Sequence, residues 1–213
     1  MKKYIFVFAV VFSSTIYSQI DISTGMGINY FNASSLFDYI NVNYSGGDRL
    51  QSFSSAAEFF LEGDYTISPK FQVGLEYAYS IYSYNKSLGV TNYDLSLNFH
   101  KPSLLAYYII PGEGYKFKFG CGAGYRITQA AERRLGENTD YSSNGFGLLL
   151  RAQGLTTLGD DLYVLIGVDA RYDLNGEPSS NNKTMINPID NSNVNLNVLS
   201  FCFKIGIAYI IED

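Results

Sequence analysis

The residues of this chain able to do acid–base or nucleophilic chemistry are few. His100 is its single histidine, with Ser103 three residues on and Glu113 thirteen. A hydrolase built from these types needs its nucleophile, base and orienting carboxylate within hydrogen-bond reach of one another. Glu113 falls in a predicted turn, and His100, beside a proline-bearing strand, is expected to serve the structure. One histidine and two cysteines, Cys121 and Cys202, exclude multi-histidine and cysteine-rich metal centres. The run Gly120-Cys121-Gly122-Ala123-Gly124 has the glycine density of a phosphate loop, but no helix follows to present its N-terminus. The expectation is therefore no catalytic residue, no metal and no cofactor.

The remaining chemistry is ionic, and it is spaced in twos. Glu58, Glu62, Asp64, Glu76 and Asp169 carry the acid, with Asp21 and Asp94 as further candidates. Lys116, Lys118, Arg126, Arg151, Arg171 and Lys204 carry the base. Successive side chains of a strand face opposite ways, so charges at alternate positions mark one polar face. Most of the acids lie in the first half of the chain and the bases in the second. Closed on itself, such a sheet sets opposite signs across its lumen. An ion path and a salt-bridged plug are the two readings, and the narrow bore of eight strands favours the plug, with Glu62 and Asp64 near Lys116, Lys118 or Lys204 in the lower half and Glu58, Asp169, Arg126 and Arg171 grouped higher up.

Eight segments show the alternation: residues 20–30, 57–67, 71–81, 93–110, 115–127, 145–158, 162–172 and 198–211. In 71–81, for example, Phe71, Val73, Leu75, Tyr77, Tyr79 and Ile81 oppose Gln72, Gly74, Glu76 and Ser80. In the fourth segment Leu95, Leu97 and Phe99 share a side, and Pro102, which lacks a ladder donor, predicts a bulge. The connections alternate as well. Those at 68–70, 111–114 and 159–161 are short; those at 31–55, 83–92, 129–144 and 173–197 are long. Short turns at one end and long loops at the other describe an eight-stranded, antiparallel, up-and-down transmembrane β-barrel. Eight rows of Phe, Tyr, Ile, Leu and Val would overfill a lumen of this size, so the apolar faces look out to lipid.

Composition agrees. Charged residues are 16% and aromatic residues 16%, with 19 Tyr, 15 Phe and no Trp. Formal net charge is −5, and more acidic still without Lys2 and Lys3, which speaks against a nucleic-acid partner. Residues 1–18 have the layout of a secretory signal: Lys2 and Lys3, the apolar run 4–12, then a polar end. The barrel domain is then 19–213. Outside the leader the chain shows no apolar run long enough for a membrane helix.

The segment from Lys101 to Tyr125, Pro-Ser-Leu-Leu-Ala-Tyr-Tyr followed by a short turn and Lys-Phe-Lys-Phe-Gly-Cys-Gly-Ala-Gly-Tyr, resembles the small outer-membrane β-barrel proteins of Gram-negative bacteria, the OmpA/OmpX-like group. The resemblance covers nearly all of 19–213. It implies an outer-membrane location, lipid and the barrel-assembly machinery as partners, and no peptidoglycan-binding domain after the barrel. It also implies a non-enzymatic role in envelope integrity or surface interaction, with an extracellular partner met by the long loops. There the first loop offers Phe37, Tyr39 and Tyr44 as contact residues, the alternative being that its apolar residues form a local hairpin or a cap over the barrel mouth. Two alternatives stand beside it. An OmpW-like conduit for small molecules would need a drier lumen than this one. A lipid A deacylase of the PagL kind uses His, Ser and Glu, but the His100–Ser103 spacing does not match its motif.

Overall fold

Alternation in twos becomes strands that run well past the apolar segments. The computed structural model describes residues 19–45, 49–89, 92–134, 137–180, 183–187 and 191–212; the expected leader lies outside the described residues. The strands are β1 (Gln19–Asn32), β2 (Ser54–Ser68), β3 (Phe71–Ser87), β4 (Asn92–Gly112), β5 (Tyr115–Arg134), β6 (Glu137–Thr157), β7 (Leu162–Leu174) and β10 (Val198–Glu212). Between them lie one helix, α1 (Ser34–Asn43), and two short strands, β8 (Ser179–Ser180) and β9 (Lys183–Thr184).

The eight long strands form a closed antiparallel ring in which each pairs with its chain neighbours and β10 returns to β1. The closing ladder runs from Gln19↔Glu212 to Asn32↔Leu199. Closure is what hydrocarbon demands, because an unpaired strand edge there has no water to satisfy its backbone groups. Tight turns join β2 to β3, β4 to β5 and β6 to β7. The β4–β5 turn uses Gly114 at φ 75°, a left-handed position that favours glycine. Among the described residues no helix is long and apolar enough to cross a membrane; crossing is by strands.

The outer faces form an apolar belt. Leu104, Phe146 and Leu148 are 65–70% exposed, and large apolar residues face outward on every strand of the ring. That much apolar surface is unsustainable in water and belongs against lipid.

Three expectations are corrected. First, 83–92 and 129–144 are mostly strand: β3 and β4 extend to Ser87 and from Asn92, β5 and β6 to Arg134 and from Glu137. The sequence hides this because the hydrophobic sense of the strands reverses on leaving the belt. In β4 the outward residues below Pro102 are Leu104, Tyr108 and Ile110, whereas above it they are Asp94, Ser96 and Asn98. Second, no bulge forms at Pro102. It pairs with Tyr77 on β3, and the β5 ladder skips 101 and 102 and resumes in the same register at Ser103↔Gly124. The register shift falls instead between Thr66 and Ser68. Third, Leu95, Leu97 and Phe99 face inward and Asp94 outward, where Asn85 donates to its carboxylate.

Candidate functional site

The interior has two storeys, a charged network through the belt and an apolar cap toward the long-loop end. In the network every strand contributes, because alternation sends every second side chain inward. Glycines make the room: the Tyr107 ring lies over Gly120, and the Arg126–Asp173 pair fills the space that a Cβ at Gly147 would take.

Arg151 is the hub. Its guanidinium donates to Glu62, to Glu76 and, through Nε and Nη2 at 2.6 and 2.7 Å, to both oxygens of Asp169. Arg171 reaches Glu76 at 2.7 Å and Asp169 at 2.6 Å. Lys204 reaches Glu76 at 2.8 Å, Asp169 at 2.9 Å and Glu58 at 3.4 Å. Glu58 also accepts from Lys101 at 3.0 Å and Ser80 at 2.7 Å. Tyr107 donates to Glu62 at 2.5 Å. All of these groups are buried. Planar, multidentate arginines suit such a site better than lysines, since one fork serves several carboxylates.

Toward the short turns Lys118 pairs with Asp64, and Lys116 meets Asp21 at 3.3 Å. Gln72 donates to Asp21 at 2.9 Å. Toward the cap, Arg126 donates to Asp173 at 2.5 Å and to Ser103 Oγ at 3.1 Å. The structure thus brings the eleven charged residues singled out in the sequence into the lumen, but with different partners in places. Glu62 meets Arg151 rather than a lysine, and Lys204 joins the central cluster rather than the lower one. Asp94 is absent from it. Lys101 and Asp173 escape the sequence reading; the first follows from continuing the alternation straight through Pro102, the second from a strand that runs two residues longer than its apolar signal.

The cap is made by α1 and the segment before β10. Leu36, Phe37, Tyr39 and Ile40, on one face of α1, are buried with Phe31, Tyr82, Tyr93, Leu95, Leu97, Phe99, Met185, Val194, Leu196 and Val198. Phe31 anchors the packing, with ring centroids 4.9 Å from Tyr82, 5.6 Å from Phe37 and 5.8 Å from Phe99. The edge is polar. Tyr39 and Tyr93 both donate to the Glu132 carboxylate, at 2.8 and 3.0 Å, and Tyr44 stacks on Tyr93 at 3.9 Å. Burial first, then the Tyr44 hydroxyl and the Glu132 carboxylate, push the Tyr39 hydroxyl far above the usual tyrosine range, so it remains a donor. Phe37 and Tyr39 are 3% exposed and point into the barrel. That corrects the expectation that they meet a partner directly and agrees with the alternative of a cap over the mouth; Tyr44 is half-buried at the rim. The reason is that their apolar load needs an apolar receptor, which the reversed upper faces of β3, β4 and β5 supply.

The hydrolytic constellation does not assemble. His100 faces outward, its Nδ1 2.6 Å from the Tyr77 hydroxyl. Ser103, an odd number of residues away, is buried on the lumen side, and Glu113 sits in the β4–β5 turn. Cys121 is exposed on the lipid face and Cys202 buried in the lumen, both free. Gel mobility of the monomer should therefore be the same with and without reductant, and a reductant-dependent shift would contradict this strand frame.

No family model and no curated protein matches the sequence. Solved structures do match the fold. The attachment invasion locus protein Ail of Yersinia pestis, in complex with the heparin analogue sucrose octasulfate, aligns with TM-score 0.54 at 14% identity, over 92% of this chain and 100% of that one. A major outer membrane protein of Thermus thermophilus aligns at 0.52 and 15%, over 90% and 99%. The outer membrane protein OprG of Pseudomonas aeruginosa aligns at 0.51 and 15%, over 92% and 97%. With its ring of eight strands, its apolar belt and its polar lumen, the chain has the fold of the small outer-membrane β-barrels, the fold of the OmpA/OmpX-like group.

Proposed function

We propose that this protein is a non-enzymatic outer-membrane barrel with a shut lumen, acting in envelope integrity or in surface interaction through its extracellular, long-loop end. The observation that carries the reading is Arg151 bound by carboxylates from β2, β3 and β7, which ties the lumen shut across its width. The cap closes it a second time. A conduit for small apolar molecules gains support from the apolar upper lumen, but it would require the cap to leave and would still meet the charged cluster beneath. Lipid surrounds the belt, and the outer-membrane assembly machinery is the expected route of insertion. Ail's name speaks of attachment; a comparable role here would fall to the exposed outer side of the cap, around Asp38 and Val42, not to its buried aromatics.

Deleting the gene and scoring detergent sensitivity together with surface attachment tests the reading. Either detergent sensitivity should rise or surface attachment should fall. A defect confined to uptake of a small solute would overturn it in favour of the conduit. His100→Ala should leave the acylation pattern of lipid A, read by mass spectrometry, unchanged; loss of an acyl-chain removal with that variant would restore the enzyme reading.

A further inference from the structure

The outer surface of β4–β6 changes character in steps that the strand register makes explicit. At the depth of the belt, small residues interrupt the large ones: Ala106, Cys121 and Ala170 lie in one cross-strand row with Leu150, and Ala123 in the next with Leu148 and Tyr172. All of these except Ala106, together with Leu199, line an apolar depression of about 680 Å³. The rows above are a rim: Tyr125 with Phe146, then Tyr79, His100, Ile127 and Asn144. Above the rim the same strands turn mostly polar. Ile81, Asn98, Gln129 and Ser142 form one row, Ser83, Ser96, Ala131 and Asp140 the next, and Asn85, Asp94, Arg133 and Asn138 the third. Two shallow polar hollows of about 420 and 470 Å³ are set into these rows.

Groove and shelf lie along the same two strands, so one molecule can span both. From Ala123 to Ala131 is roughly 27 Å of strand at about 3.4 Å per residue, shortened in height by the barrel tilt. At a tilt of about 35–45° this is about 20 Å in height, the distance from the bilayer midplane to the outer edge of the headgroups. A hollow lined by alanines, leucines and a cysteine accepts an acyl chain. The shelf presents hydroxyls, amides and two carboxylates to one arginine, a set that bonds saccharide hydroxyls in both directions. We propose that the outer face of β3–β7 binds an outer-leaflet glycolipid, one acyl chain in the Ala123–Ala170 groove and its sugars on the Gln129–Asp140 shelf. The proposal rests on the outer-membrane reading with the long-loop end outward.

The test uses the whole barrel in detergent micelles and native mass spectrometry, with rough-type lipopolysaccharide, its deacylated saccharide and phosphatidylethanolamine as probes. Heat-modifiable gel migration of each sample reports closure of the barrel, so failure of the fold reading is seen separately. The expected result is retention of one lipopolysaccharide molecule, weakened about tenfold by Ala123→Phe and by Ser142→Ala/Asp140→Ala, with little binding of the other two probes. Should Ala123→Phe not close, Ala170→Phe fills the same groove. Equal retention of phosphatidylethanolamine, equal binding of the free saccharide, or full retention by both variants would overturn the proposal.

Discussion

Arg151→Ala should be the most damaging single substitution in the lumen. It strips Glu62, Glu76 and Asp169 of a shared partner at once, in a cluster with side chains closed to solvent. Removing one partner of a buried ion pair costs about 3–5 kcal/mol, because the charges left behind remain desolvated. Urea unfolding of the barrel in lipid should shift by that order. Glu62→Ala should cost less, since Arg151 keeps Glu76 and Asp169. Arg151→Lys should fall between the two: the charge survives but the fork that reaches three carboxylates does not. Equal stabilities for wild type and Arg151→Ala would mean that water fills the lumen and solvates these groups.

The second large effect belongs to the cap. Leu36 and Ile40, one helical turn apart and both fully buried, should each cost about 2–5 kcal/mol when truncated to alanine. A ten-residue helix has little stability of its own and depends on its apolar face being covered. The double variant Leu36→Ala/Ile40→Ala should therefore release α1 from the mouth while the ring, held by its own ladders, stays closed. Protease added outside should then cut within 34–45, with heat-modifiable migration unchanged. Resistance equal to wild type would show that the rim contacts of Tyr39, Tyr44 and Glu132 suffice to hold the helix.

The legible part of this protein is its belt. Phe71–Ile81 or Val198–Ile211 display the lipid-facing rows directly, and the charges opposite them can be assigned to the lumen from period alone. The illegible part is where that code changes meaning. Above the belt the outside is wet and the inside is dry, so Asp94 looks like a lumen charge and Leu95 like a lipid contact when the reverse holds. Pro102, at that boundary, reads as a break, which hides both Lys101 and the continuity of β4. The aromatic load of the first loop is visible in the sequence, but its receptor is not. Tyr82, Tyr93, Leu97 and Phe99 become a receptor only when β3 and β4 are seen to extend beyond the membrane.

The claim that the lumen is shut is tested most directly by single-channel recording in planar bilayers, using wild-type protein and the Leu36→Ala/Ile40→Ala variant side by side. No steady conductance is expected from either, because the Arg151 cluster closes the belt even when the cap has left. A stable ohmic current from the wild-type barrel would contradict the account.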